Sequence, residues 1–230
     1  MKRLHSIISL LLAAVALSSA GTDLARTNEE QEGAIELPKP RHSSGVSVES
    51  ALAQRRSVRH YAAKPVELAA VSQLLWAAQG ITDPRGHRTA PSAGALYPLE
   101  VYLVVGAVSD LGPGVYHYDP RRHRLHPHIT GDIRDSLSGA ALEQEWVPEA
   151  PVLLVLAAAH QRTARKYGER AERYVAMEVG HAAQNIYLQA VALDLGTVMV
   201  GAFRDQQIKW VLRLPTELET LAVMPVGKPR

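Results

Sequence analysis

From Glu169 to Leu195 the chain carries apolar residues at helical spacing, Val175, Val179, Ala182, Ala183, Ile186, Ala190 and Leu193, and Gly196 then stops the pattern. A helix of that length must pack along most of its axis. The residues Ala176, Ala182, Ala183, Ala190 and Ala192 permit close helix approach, which suits a central position or a subunit interface. Around this helix the chain alternates extended and helical signals. Runs rich in Val, Leu and Tyr predict strands at Leu99 to Val105, Val115 to Tyr118, Pro151 to Ala158, Thr197 to Val200 and Leu221 to Val226. Shorter helices are expected from Ser47, a capping residue, through Gln54, from Pro65 and Glu67 to Gly80, and from Asp205 to Leu212. Strands and helices interleaved in this way predict an α+β fold, a central mixed sheet flanked by helices.

The opening Met1-Lys2-Arg3-Leu4-His5 is basic, Ile7 to Leu17 is apolar apart from Ser9, and Ser18-Ser19-Ala20 are small. This predicts a secretory signal peptide, residues 1–20, cleaved after Ala20. Its apolar stretch is about half of the roughly 20 residues that cross a bilayer, so no stable membrane anchor is expected after cleavage. The exported product is expected in the periplasm or outside the cell. Residues 21–45, with Glu29-Glu30-Gln31-Glu32-Gly33 and Leu37-Pro38-Lys39-Pro40, lack an apolar period and read as a linker or arm. Residues 46–230 are long enough for one domain with a real core. The absence of cysteine excludes a disulfide framework, a thiolate nucleophile and Cys-based metal sites. Removing Lys2 and Arg3 with the signal brings the 25 basic residues level with the 23 acidic ones. A balance near zero argues against nucleic-acid or membrane-surface binding, which favour a face of one sign.

No glycine-rich dinucleotide or P-loop fingerprint is present, and no Gly-x-Ser-x-Gly elbow. Glu178 and His181 share a helix face, but a di-iron bundle needs two such pairs, and no metal site is expected. The same holds for the hairpin histidines His117, His123, His126 and His128. Three other segments carry chemistry. In Arg55-Arg56-Ser57-Val58-Arg59-His60-Tyr61, extended backbone puts Arg55, Ser57 and Arg59 on one side, two guanidiniums and a hydroxyl that match a phosphate dianion. Alone, the run also fits a solvated basic helix end. Pro91-Ser92-Ala93-Gly94-Ala95-Leu96-Tyr97-Pro98 is a small-residue loop entering a strand, where backbone amides could approach a flat ligand, or simply a turn. Gly201-Ala202-Phe203 follows a strand and offers a second close approach of backbone.

In their order along the chain these segments resemble the nitroreductase-like FMN proteins of the SagB/ThcOx dehydrogenase type. Leu74-Leu75-Trp76-Ala77-Ala78-Gln79-Gly80-Ile81, Gly114-Val115-Tyr116-His117-Tyr118, Lys166-Tyr167-Gly168-Glu169-Arg170, Glu178-x-x-His181-x-x-Gln184-Asn185 and Pro225-Val226-Gly227 extend the resemblance from about Leu37 to the C-terminus. It implies a dimer-forming nitroreductase-like fold with FMN between subunits. Arg55, Ser57 and Arg59, with Arg56 beside them, are implied to hold the FMN phosphate and ribityl chain. Pro91, Ser92, Ala93 and Gly94 are implied to lie against the isoalloxazine, and Gly201 and Ala202 to present amides near its N5 and O4. Lys166-Tyr167 matches the pair proposed for proton transfer in this family.

Two departures stand out. Many nitroreductases carry an Asn where this chain has Ala95, and many use basic residues beyond the last strand, for which Lys228 and Arg230 are the candidates here. Gln184 and Asn185 are read as helix residues bonding a neighbouring loop, and Trp76, Trp146 and Trp210 as core or interface anchors. The expected activity is hydride transfer from a small-molecule or peptide substrate to flavin N5. The competing readings are an NAD(P)H-dependent nitro- or quinone reductase, for which export makes the donor scarce, and a non-catalytic flavin-binding protein.

Overall fold

A computed structural model describes residues 33–230, so the expected signal peptide and most of the arm lie outside the described residues. The chain divides between Ile35 and Glu36, and the compact unit that carries the fold is Glu36–Arg230. This unit takes in residues of the expected arm: Leu37 is buried, and the Ser72 hydroxyl donates to the Pro38 carbonyl at 2.5 Å.

Helix α1 (Val48–Gln54) begins where the Ser47 hydroxyl accepts from the Ser50 amide at 3.1 Å and ends at Arg55. In α2 (Leu68–Gln79) the apolar residues at helical spacing are Leu68, Val71, Leu74, Leu75 and Ala78; all but Leu68, which is half-buried, are buried. The helix stops at Gly80, where any Cβ would collide with the Trp76 ring. The strands are β1 (Ile35–Glu36), β2 (Leu99–Val105), β3 (Gly114–Asp119), β4 (Arg124–Thr130), β5 (Val152–Ala158), β6 (Gly196–Thr197) and β7 (Glu219–Gly227). They form one seven-stranded sheet in the order β1-β4-β3-β2-β5-β7-β6. The ladders from β2 through β7 are antiparallel, where the sequence predicts a mixed sheet. Two isolated bridges, Ser57–Thr197 and Val66–Val108, are parallel. Strand β5 lies between β2 and β7 with every residue buried, which is why it reads as an unbroken apolar run. Each fully buried leucine there contributes on the order of 2 kcal/mol.

Side chains alternate across the sheet. On one face Tyr102, Val104, Leu153, Val155 and Val223 pack with Leu137 of α3 (Arg134–Ala140), Val147 of α4 (Trp146–Glu149) and Ile208 of α7 (Asp205–Val211). Against the other lie α2 and the long helix α6 (Ala171–Ala192), which also pack on each other.

One reading of the long helix needs correction. It does not begin at Glu169: α5 (His160–Tyr167) comes first and ends at Gly168, whose φ of 54° breaks the helical path before α6 starts. Lys166 and Tyr167 therefore close a short helix rather than open the long one. Of the two positions expected for the small-residue stripe, Ala182, Ala183 and Ala190 take the central one, buried in the chain's own core. The face that α6 leaves exposed is Ala176, Met177, Gly180 and His181. Asn185 donates to the Thr89 carbonyl at 3.2 Å, as expected of a helix residue bonding a loop. Trp210, read as an anchor, is 80% exposed.

Candidate active site

The expected site residues fall into two constellations. In the first, the chain leaves α1 in extended form and Ser57 bridges Thr197, with the Val58 amide donating to the Thr197 carbonyl at 2.9 Å. This places Arg55 and Ser57 beside α6. The Arg55 guanidinium lies 5.2 Å from the centre of the Tyr187 ring, and the Ser57 hydroxyl is 3.3 Å from the Tyr187 hydroxyl. Tyr187 in turn accepts from the Met199 amide at 2.7 Å, which fixes the segment leading to Gly201 and Ala202. Both are exposed, and a Cβ at Gly201 would meet nothing within 4 Å, so the backbone there is open to a ligand. Gln144 donates to the Ala202 carbonyl at 2.8 Å, and Arg59 lies over the Trp146 ring at 5.6 Å. Neither Arg55 nor Arg59 forms an ion pair with a carboxylate among the described residues.

Other basic residues assigned to this group are used elsewhere. Arg56 folds back to donate to the Ala53 and Arg55 carbonyls, satisfying the end of α1. Lys228 pairs with Asp194. Tyr187 was missed by sequence reasoning. On a helix stripe it looks like one more partly apolar residue, and only its meeting with Ser57 gives it meaning.

The second constellation surrounds the turn from Ser92 to Tyr97. Gly94, Ala95 and Tyr97 have φ values of 62°, 53° and 47°. Two of these are non-glycine residues in the left-handed region, where Ala costs more than Gly or Asn. Asn is the residue many relatives are expected to carry at Ala95, and the backbone conformation suited to it is kept. The Ser92 hydroxyl accepts from the Tyr97 amide at 2.9 Å and closes the turn. A Cβ placed on Gly94 would lie 2.8 Å from the Tyr167 hydroxyl and 2.9 Å from Lys166 Nζ, so both groups converge on the space that glycine leaves. Lys166 is exposed, with Nζ 5.4 Å from the Tyr167 ring centre, and Tyr167 is half-buried edge-on to Tyr174 at 5.0 Å. Pro91 is exposed and Ser92 and Ala93 are partly covered.

Glu178 lies beneath this turn, 2% exposed. Burial pushes its carboxyl up to about 7, against the opposing pull of the Ser92 hydroxyl and of the Arg88 and Arg162 guanidiniums. Its Oε1 has no hydrogen-bond partner. Arg162 donates to Glu100 at 2.7 Å and His117 sits 3.0 Å from the same carboxylate. Burial opposes ionisation of Glu100, but those two bonds outweigh it and hold the carboxyl below its ordinary range.

One protomer does not bring the two constellations together. Tyr174, against Tyr167, and Tyr187, against Arg55 and Ser57, both lie on α6. At 1.5 Å per residue they are about 20 Å apart along it.

Two guanidiniums without a carboxylate partner among the described residues, near open backbone, suit a phosphate-bearing planar group. Two proton carriers at the end of α5, converging on a fixed turn, suit proton transfer beside a reacting substrate. Together these are the requirements of a flavin-dependent oxidoreductase. The nitroreductase family model matches residues 52–228, and the chain belongs to that family of oxidoreductases. It is 47% identical over 183 residues to a nitroreductase-named protein of Methanocaldococcus jannaschii, MJ1384, covering 80% of this chain and 91% of the other. The microcin B17-processing protein McbC of Escherichia coli is 31% identical over 152 residues, 63% of this chain and 55% of that protein. Among solved structures, one from Ralstonia eutropha named as a nitroreductase superposes with a TM-score of 0.77 at 32% identity, covering 86% of this chain and 90% of that one. The E. coli microcin synthetase McbBCD, solved with truncated pro-MccB17 bound, gives 0.66 at 26% identity, covering 88% and 80%. These relatives carry the resemblance to the SagB-type branch of the family.

Proposed function

We propose that this chain is an FMN-dependent dehydrogenase of the SagB/ThcOx type, exported as a homodimer and acting on a small-molecule or peptide substrate. The observation that carries the reading is the convergence of Lys166 Nζ and the Tyr167 hydroxyl on Gly94, inside the loop expected to face the isoalloxazine. The residues present fit the cofactor. Arg55, Ser57 and Arg59 would hold its phosphate through charge-assisted bonds, and the open backbone at Gly201 and Ala202 would reach its ring edge. When bound, FMN supplies a hydride acceptor at N5. Tyr167 and Lys166 then take the proton that the substrate gives up with its hydride, and the turn held by Ser92 keeps Gly94 clear for both. Oxygen or another acceptor outside the chain removes the two electrons.

Separation of the two constellations along α6 supports a site completed by a second copy. Two copies related by a two-fold axis set the cationic half of one against the turn of the other. The exposed apolar residues Val48 and Leu52 of α1 and Met177 of α6 supply surface for that contact. Kinship with MJ1384 favours a second reading, reduction of nitro or quinone compounds by NAD(P)H. Purified protein is expected to be yellow, or to become so on FMN addition. Flavin reduction by substrate peptide or heterocycle precursor without NAD(P)H supports the dehydrogenase. Reduction by NAD(P)H alone selects the reductase, and a colourless chain that cannot be loaded overturns both. Export predicts an intact mass beginning at Gly21, and Met1 retained in washed membranes contradicts it.

A further inference from the structure

The Val200 amide donates to the Val223 carbonyl of β7 at 2.8 Å, and the Arg204 amide donates to the Ala140 carbonyl at the end of α3 at 2.9 Å. Between these two anchors the amides of Gly201, Ala202 and Phe203 donate to no acceptor among the described residues. Gly201 and Ala202 are exposed, so water satisfies their donors until a ligand takes its place.

The direction of these donors is set by a side chain from another segment. Gln144 lies between α3 and α4, and its amide nitrogen has two protons to give. One goes to the Ala202 carbonyl at 2.8 Å and the other to the Ala141 carbonyl at 2.7 Å. In a trans peptide the N–H lies opposite the C=O, and the described chain holds no cis bond. An Ala202 carbonyl held toward Gln144 therefore turns the Phe203 amide to the opposite side.

Gln144 is itself held in place. Its carbonyl accepts from the Val147 amide at 3.0 Å, and the Glu143 amide donates to the Ser138 carbonyl at 2.9 Å. Leu142 and Glu143 have φ values of 59° and 57° although neither is glycine, a conformation that surrounding contacts must maintain. Two residues beyond Gln144, the Trp146 ring carries the Arg59 guanidinium at 5.6 Å. One short segment thus touches the open backbone through Gln144 and the cationic group through Trp146.

We infer that Gln144 is a positioning residue: by gripping the Ala202 carbonyl it fixes the free amides of residues 201–203 in one orientation, toward the acceptor edge of a flat ligand. The inference rests on the reading of that backbone as the surface that meets the flavin ring. Both protons of the Gln144 amide go to carbonyls of the chain, so it acts through the backbone. Without it the peptide planes must be ordered at the moment of binding, which weakens affinity. Donors already aimed also favour the ligand state that carries more electron density at that edge.

The chain contains one phenylalanine, so 15N-phenylalanine labels a single backbone amide, that of Phe203. Its resonance responds to the bond that the Ala202 carbonyl accepts, with or without flavin. In the parent one sharp resonance is expected, and FMN should move it. Gln144→Leu removes both donated protons without adding charge, and Gln144→Glu removes them at unchanged length. Each should displace or broaden the resonance before any flavin is added. Each should also weaken FMN binding by up to about tenfold, the scale of one hydrogen bond, and lower the flavin midpoint potential at saturating FMN. A Gln144 that only braced the loop would lower the unfolding temperature and leave the resonance and the potential of the saturated protein unmoved. A resonance or a potential that stays at the parent value in both variants overturns the inference. Should both variants displace the resonance of the flavin-free chain while the parent binds no FMN, the aim set by Gln144 stands and the flavin reading falls.

Discussion

The two halves of the site differ in how their charge is kept. Around Arg55, Ser57 and Arg59 the charged groups are solvent-accessible, have no carboxylate partners, and border backbone at Gly201 that is open to space. Around Gly94 the backbone runs through the left-handed region, Tyr167 is half-buried against Tyr174, and the Glu178 carboxylate is buried nearby. An exposed cation pair gives binding energy to an anion without being committed to any internal partner. A packed turn above a buried acid gives geometry and a proton inventory. On the proposed reading one half captures a ligand and the other handles protons, so substitutions should separate affinity from rate.

The largest separation is expected at the proton carriers. A placed base contributes roughly a hundred- to ten-thousand-fold in rate. Tyr167→Phe and Lys166→Ala should slow flavin reduction on that scale while FMN content is unchanged. Stopped-flow reduction together with the flavin-to-protein absorbance ratio measures both at once, and loss of flavin from either variant would erase the distinction between the halves.

The next effect is on stability. The Glu178 carboxyl is raised in the folded chain from about 4.5 to about 7. Its favourable contribution is thus fully present below its ordinary value and lost as pH rises toward 7. A shift of that size is worth at most about 3 kcal/mol. Glu178→Gln should accordingly gain stability over the parent as pH goes from 4.5 to 8, read from urea unfolding at each pH. A constant difference between the two proteins across that range contradicts a raised folded value.

At the binding half, Arg55→Ala should cost about 1.5 to 3 kcal/mol of FMN affinity, the scale of a hydrogen bond to a charged group, and leave the reduction rate at saturating FMN unchanged. Fluorescence titration gives the affinity. The smallest effect concerns Ala95, held at φ 53°. Asn tolerates that region better, so Ala95→Asn should stabilise the chain by under about 1 kcal/mol in thermal unfolding. A loss of stability would mean that the turn has no room for the longer side chain.

What the sequence made legible was whatever local chemistry determines. Ser47 marks the start of α1 because the cap is a short-range hydrogen bond, and β2 and β5 follow apolar runs that burial on both faces requires. Strand β4 was not legible, since Arg124–Thr130 carries His126, Pro127 and His128 and is only partly buried. Helices α3 and α4 are short, and the Gly139 and Pro148 within them weaken any periodic signal. The break at Gly168 was hidden because glycine inside a long helical pattern reads as tolerated rather than as an end. In the site, the spacing of Arg55, Ser57 and Arg59 and the pair Lys166-Tyr167 could be picked out in one dimension. Tyr187 could not, because its role comes from Ser57, which is 130 positions away in the chain.

On the proposed reading, a complete site requires the two halves to meet between copies of the chain. Sedimentation of the FMN-loaded protein, followed at both protein and flavin wavelengths, reads this out without any substrate. All bound flavin is expected to travel with a species of twice the mass of one chain, and dilution into monomer is expected to release it. Flavin sedimenting with a single 25.0 kDa chain or its processed form would rule out a site shared between copies.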